Sequence, residues 1–160
     1  MNSFAATAAE LRKTVTQCQP MLAELANLTT SDRPQPAKWS KKEILGHLLD
    51  SASNNHQRFV RAALQGNLVF PGYDQAPLVE LQRFRSMEWK FLVEFWAAYN
   101  LFLAHVISAL PADAATAMCA IGKNQPATLE WVAEDYVAHL KHHLNQILDT
   151  TFATSYGARA

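Results

Sequence analysis

The chain has 160 residues, 49% of them hydrophobic, and its 14 basic and 14 acidic side chains cancel in charge. These values predict one globular domain over residues 1–160 rather than a disordered chain. A neutral chain without a basic stripe argues against nucleic acid or a membrane surface as a partner, and we expect no membrane-spanning segment.

Helical periodicity predicts an all-α fold. In helix one, Pro20 predicts a kink or a break in an apolar face that comprises Leu11, Val15, Cys18, Leu22 and Leu25. Ser40 and Glu43 match a capping box, which predicts that helix two starts there and runs from about residue 41 to about residue 64. Its expected inward face comprises Ile44, His47, Leu48, Ser51, Asn54 or Asn55, Arg58 and Ala62.

The third predicted helix is the longest, from about residue 78 to residue 110, and ends before Pro111. Its apolar stripe, which we expect to be core, comprises Leu81, Phe84, Phe91, Phe95, Tyr99, Phe102 and Val106, widened by Met87, Leu92, Trp96 and Leu103. Thr128 can cap a fourth helix, and residues 69–77 and 112–126 are predicted to be connecting segments. Four amphipathic helices predict a four-helix bundle.

Three histidines on the expected inward faces form a candidate metal site. His139 and His143 are four residues apart, so they share one face of a helix. His47 on helix two would add a third nitrogen across the bundle. Three imidazoles suit Zn, Ni, Cu or Fe and leave a coordination position open. The alternative is that the rings only pack in the core, where each nitrogen would need a polar partner.

Other polar side chains near these histidines are candidates for further roles. Asp50 is expected on the same helix face as His47, and Asp135 on the same helix face as His139. A carboxylate in such a position can act as a base or orient the imidazole. Asp50 is our candidate catalytic residue. Of its two possible roles, we favour the one in which it orients an imidazole over the one in which it acts as a base. Arg58 can bind a substrate carboxylate or pair with an acid inside the bundle. His142 is expected to point to a rim or to solvent.

Four short motifs follow one another between about residues 38 and 147. They are Trp39-Ser40, His47-x-x-Asp50-Ser51-x-x-Asn54-x-x-x-Arg58-Phe59, Tyr73-Asp74-Gln75 and Tyr136-x-x-His139-x-x-His142-His143. Together they resemble the DinB superfamily, in particular its YfiT-like branch of metal-dependent hydrolases. One departure is Ala52, because the residue after the Asp-Ser pair is often histidine in that branch.

The resemblance implies an up-down-down-up four-helix bundle and a divalent metal, Zn or Ni, held by His47, His139 and His143. It also implies a homodimer that acts on a small molecule, either as a hydrolase or as an S-transferase with a low-molecular-weight thiol. A metal-binding stress protein without turnover is an alternative. Leu140 stands where an HExxH protease has its glutamate, so that mechanism is not predicted.

The expected compartment is the cytoplasm. The N-terminal residues lack the basic start and apolar stretch of a signal peptide. Cys18 and Cys119 are isolated in the sequence, so no disulfide framework is expected, and both should be buried or inert.

Overall fold

The computed structural model describes residues 3–156 and shows four long helices: α1 (Ser3–Ala23), α2 (Lys41–Gln65), α4 (Trp89–Ala109) and α5 (Leu129–Leu148). A short helix, α3 (Gln75–Gln82), precedes α4. Three strands lie in the connections: β1 (Leu68–Phe70), β2 (Met118–Ile121) and β3 (Ala127–Thr128). The ends of the domain predicted over residues 1–160, namely residues 1–2 and 157–160, lie outside the described residues. Helix α1 continues through Pro20, so of the two alternatives predicted there the break is wrong, and the kink stays a prediction.

Contacts at the helix ends fix the directions of the four helices. Nε1 of Trp89, at the start of α4, donates to the carbonyl of Leu22 near the end of α1, so these helices are antiparallel. Nζ of Lys42 in the first turn of α2 donates to the backbone just before α4, so α2 and α4 are parallel. Nζ of Lys41 donates to the carbonyl of Ile147 near the end of α5, so α2 and α5 are antiparallel. The order is therefore up-down-down-up, and the predicted four-helix bundle is confirmed.

Helices α2 and α5 begin where the sequence predicts. The Ser40 hydroxyl accepts the backbone N–H of Glu43, and the Glu43 carboxylate accepts the backbone N–H of Ser40. Oγ1 of Thr128 accepts the backbone N–H of Trp131 in the first turn of α5. Each such cap typically contributes about 1 kcal/mol to helix stability. These starting points set the helical register of the histidines.

The prediction of one continuous helix from residue 78 to residue 110 is wrong. The chain leaves the α-helix at Arg83, which adopts a left-handed conformation with φ 53°, and a 3₁₀ turn at Phe84–Ser86 follows. The turn places Phe84 against α2, where a Cβ on Gly46 would lie 2.2 Å from carbons of the phenyl ring. No proline or glycine marks the break, and the helical spacing of apolar residues continues across it. The sequence therefore gives no local signal that the helix ends there.

The expected core stripe of the third helix faces outward over most of its length. The fractional exposures of Phe91, Phe95 and Phe102 are 52%, 47% and 48%. The core face of α4 is formed by residues that were expected only to widen the stripe, such as Leu92 and Trp96, and both are fully buried as predicted. Because α4 carries apolar residues on two faces, periodicity identified a helix without identifying its buried side.

By length and composition alone, α4 could cross a membrane, and it is the one helix of residues 3–156 that meets this test. The sequence expectation of no membrane-spanning segment stays a prediction, because one helix that passes this test is weak evidence of a span. Core helices of bundles also meet the test, and α4 packs against α1 and α2.

A small three-stranded sheet forms in segments that were predicted to be connections. Strand β1 pairs in parallel with β2, and β2 pairs antiparallel with β3. The N–H of Gly122 donates to the carbonyl of Phe70 at 2.9 Å. A Cβ on Gly122 would lie 3.2 Å from Cα of Gly72, and the φ of Gly122 is 58°. The sheet thus holds the loop after β1 directly beside the turn between β2 and β3.

Candidate metal centre

The three histidines predicted to be metal ligands lie together between α2 and α5. One ring nitrogen from each of His47, His139 and His143 lies within 4.8 Å of the other two. The Nε2 atoms of His47 and His139 are 3.0 Å apart. Two nitrogens bound tetrahedrally to one Zn at about 2.0–2.1 Å would be roughly 3.3 Å apart. The spacing of these rings therefore fits a shared ion.

Burial keeps these imidazoles neutral. His47 is fully buried, His139 is 8% exposed and His143 is half-buried. Burial, reinforced by the nearby His143, lowers the pKa of His47 from 6.5 to about 4. Burial and the neighbouring histidines also lower the pKa of His139, and burial lowers that of His143. Neutral imidazoles retain the lone pairs with which histidine binds metals.

The rings of His143 and His139 are oriented by contacts at Nδ1, the ring nitrogen that does not face the cluster. Nδ1 of His143 donates to Oε1 of Gln146 at 2.8 Å, which leaves its Nε2 as the acceptor. The amide of Gln146 donates in turn to Nε2 of His142, which lies outside the cluster as its helical position predicts. Nδ1 of His139 lies 3.5 Å from the Ser51 hydroxyl. Gln146 was not identified from the sequence, although its position three residues after His143 is a usable signal.

Asp50 is buried beside this group but is not hydrogen-bonded to His47. Nε2 of Gln82 donates to Oδ1 of Asp50 at 2.6 Å, whereas Oδ2 of Asp50 and Nδ1 of His47 lack partners within residues 3–156. Burial raises the pKa of Asp50, and the bond from Gln82 opposes that shift. The structure thus pairs Asp50 with a residue of α3 that the sequence did not suggest, and the catalytic role of Asp50 stays a prediction.

Two aromatic side chains cover the histidines. The ring of Trp39 lies 5.2 Å from that of His47, centroid to centroid, and the ring of Tyr156 lies 4.9 Å from that of His139. The segment that leads to Tyr156 is held to α5 through the side chain of Asn145, which accepts the backbone N–H of Phe152.

A cavity of about 350 Å³ opens beside the histidines, and His139 forms part of its wall. It lies among α2, α5, the loop after β1, the turn between β2 and β3, and Tyr156. Its polar and aromatic lining includes Ser51, Asn55, Arg58, Tyr73, Lys123 and Trp131. The histidine cluster is therefore accessible to a small molecule from one side.

An up-down-down-up bundle with three convergent histidines defines the class of this protein. The profile of the DinB superfamily matches residues 10–147, and the chain belongs to that superfamily. A similar solved structure is that of YfiT from Bacillus subtilis, described as a probable metal-dependent hydrolase with an unusual four-helix bundle topology. The TM-score is 0.79 at 16% identity over 91% of this chain and 84% of YfiT, a likeness that establishes the fold. No protein of curated function matches the sequence.

Proposed function

We propose that this protein is a metal-dependent hydrolase of a small molecule, with a divalent ion held by His47, His139 and His143. The observation that carries the proposal is the approach of three ring nitrogens to within 4.8 Å beside a cavity that includes His139 in its wall. The DinB fold supports it, as does the description of YfiT. A divalent ion bound by three imidazoles supplies Lewis acidity at an open position. Zn and Ni are the ions that we favour.

The residues around the cluster have separable roles in this proposal. Gln146 and Ser51 hold the rings of His143 and His139 with Nε2 directed inward. Trp39 packs on His47 and excludes water from that side. Asp50 is the candidate proton acceptor at Oδ2, because that oxygen has no partner within residues 3–156 and burial raises the pKa of the carboxyl, which makes the carboxylate a stronger base.

A low-molecular-weight thiol is the second candidate reactant, which would make the protein an S-transferase. A three-histidine ion can bind a thiolate at its open position. The chain's own Cys18 and Cys119 are free and buried, and neither lines the cavity. Burial raises the pKa of Cys18 to about 11 and also raises the pKa of Cys119. Thiol chemistry at this site would therefore need an external thiol.

The experiment that tests this proposal is a turnover screen of the Zn- and Ni-loaded protein against small esters and amides, with and without low-molecular-weight thiols. We expect turnover by the wild type and by His142→Ala, and its loss in His143→Ala. A strict requirement for a thiol would favour the transferase over the hydrolase. Metal binding without turnover of any substrate would favour the non-catalytic stress protein.

We also propose that two copies of the chain associate through α4. The rings of Phe91, Phe95 and Tyr99 form a stacked row along the exposed face of this helix. Large aromatic side chains that are about half exposed in one row are typical of protein interfaces. A second copy would cover the row with the same surface, as in a two-fold dimer.

The compartment that we propose is the cytoplasm. The free thiols of Cys18 and Cys119 fit a reducing compartment.

A further inference from the structure

Among the described residues that line the cavity, Arg58 is the buried charged side chain, and the proposed chemistry leaves it unused. It belongs to α2, lines the cavity, and is only 9% exposed. Arginine is seldom buried to this degree unless an acid or another acceptor satisfies it. The identity of the group that satisfies Arg58 is therefore informative about the ligand.

Within residues 3–156, the side chain of Arg58 has few hydrogen-bond partners. Nη1 donates to Oδ1 of Asn55 at 3.2 Å, and no carboxylate within residues 3–156 forms an ion pair with it. A guanidinium has five N–H donors. The sequence left open whether Arg58 pairs with an internal acid, and among the described residues it does not. Its remaining donors are free for a ligand that enters the cavity.

The charges of the cavity favour an anion. Arg58 and the exposed Lys123 are cationic, and Asp135 is the one carboxylate among the described residues that line the cavity. The neutral side chain of Asn124 adds hydrogen-bonding capacity. Guanidinium groups bind the two oxygens of a carboxylate or a phosphate in parallel, which gives the contact its directionality.

The position of Arg58 relates this anion site to the histidines. Ser51, which contacts His139, precedes Arg58 by seven residues on α2, a helical rise of about 10 Å. Both residues line the same cavity of about 350 Å³. One small molecule can therefore place an anionic end at Arg58 and its reacting end beside His139.

We propose that Arg58 binds an oxyanion group, a carboxylate or a phosphate, of the substrate. The inference rests on the proposed function, since it assigns the chemical class of the molecule that enters that site. It makes Arg58 a binding residue for an anionic small molecule.

Calorimetric titration of the full-length protein with propionate, and separately with inorganic phosphate, tests the proposal. We expect saturable binding of at least one anion, weakened at least about tenfold in Arg58→Met. The matched control is Arg61→Gln, which removes an exposed guanidinium of the same helix and should bind like the wild type. Tighter binding of propionate or of phosphate identifies the carboxylate or the phosphate as the preferred group.

Thermal unfolding separates a binding role from a structural one. Because Arg58→Met removes a buried charge without an acidic partner, its thermal midpoint should not fall below that of the wild type. If Arg58→Met does not fold, Arg58→Lys decides, since lysine lacks the paired donors and should bind propionate more weakly. Unchanged propionate binding by Arg58→Lys, unchanged anion binding by Arg58→Met, or no saturable binding by the wild type would overturn the proposal.

A His47→Ala variant keeps this result distinct from the fate of the proposed function. His47 does not line the cavity, so the variant should lose metal and still bind the anion. If His47→Ala loses anion binding while Arg58→Met keeps it, the anion binds the metal. That outcome would overturn the role of Arg58 and leave the metal centre intact.

Discussion

Nε2 of His47 lies 3.0 Å from Nε2 of His139, although 92 positions separate the two residues in the chain. Antiparallel packing of α2 against α5 brings them together, and the caps at Ser40 and Thr128 set the register of both helices. Two buried imidazoles at this distance cannot readily carry a proton charge at the same time, because like charges in a low-dielectric site repel strongly. The arrangement instead suits one shared cation.

His143→Ala should remove most of the bound metal, and His142→Ala should not. His143 supplies a nitrogen to the cluster, whereas His142 lies outside it. The two residues are adjacent on α5, so the pair is matched in length and surroundings. Metal content per chain, measured on both purified variants, checks this. An empty site in His142→Ala with a full site in His143→Ala would mean that the register of α5 is wrong.

Gln146→Leu should weaken metal affinity about 10- to 100-fold, because the bond from Nδ1 of His143 that holds the ring would be lost. Gln146 is exposed, so the thermal midpoint of the metal-free protein should change little. Competition with a chromogenic chelator measures the affinity. Gln57→Leu, at an exposed position of α2, is the control and should bind metal like the wild type. Equal affinities in the two variants would show that Gln146 does not position His143.

The stability of the metal-free protein should fall as pH drops from about 6.5 toward about 4. Burial lowers the pKa of His47 from 6.5 to about 4, so in this window the unfolded chain takes up a proton that the folded chain refuses. The stabilisation is complete above pH 6.5 and is lost as pH falls through the folded value. The change should be on the order of 1–3 kcal/mol, measured by denaturant unfolding.

His47→Leu should reduce this pH dependence by the share of one histidine, since leucine does not titrate, while His139 and His143, whose pKa values burial also lowers, keep the remainder. His105→Leu, a replacement of an exposed histidine on α4, should retain it. If His47→Leu retains the full slope, other groups cause the loss of stability at acidic pH.

Asp50→Asn should separate activity from stability. Asparagine keeps an oxygen that can accept the bond from Gln82 and removes a carboxylate that burial disfavours. The variant should be at least as stable as the wild type at neutral pH, and its turnover should fall about 100-fold or more if Asp50 accepts a proton. Steady-state kinetics beside thermal unfolding measures both. Unchanged turnover would exclude Asp50 as the base.

Phe95→Asp should convert a dimer to a monomer, because it places a charge in the middle of the exposed aromatic row of α4. Light scattering coupled to size-exclusion chromatography gives the mass of each species. Leu81→Asp, at a 79% exposed position on α3, is the control and should leave the mass unchanged. A wild type that is monomeric at all concentrations would contradict the dimer.

The parts of the fold that depend on nearby residues could be predicted from the sequence. The capping pairs at Ser40 and Thr128 are local signals, and they located α2 and α5 within a residue or two. The spacing of His139 and His143 is also local. The inward face of the second predicted helix supplied the third histidine, and the family motifs added the order of the helices.

The errors arose where contacts between distant segments decide the structure. The break before α4 follows from the packing of Phe84 on Gly46, 38 positions away, and no local signal marks it. The bond from Gln82 to Asp50 depends on that break, because α3 must lie across α2. Strands β1 and β2 pair segments about 50 residues apart, and the three strands have only two to four residues each, too few for a periodic pattern.

Elemental analysis of the purified wild type beside the His47→Ala, His139→Ala double variant tests the metal centre most directly. The proposal predicts about one divalent ion per chain in the wild type and none in the double variant, because the variant keeps a single imidazole of the cluster. No metal in the wild type after incubation with Zn, Ni and Mn would contradict it. So would a folded double variant that retains the full content of metal.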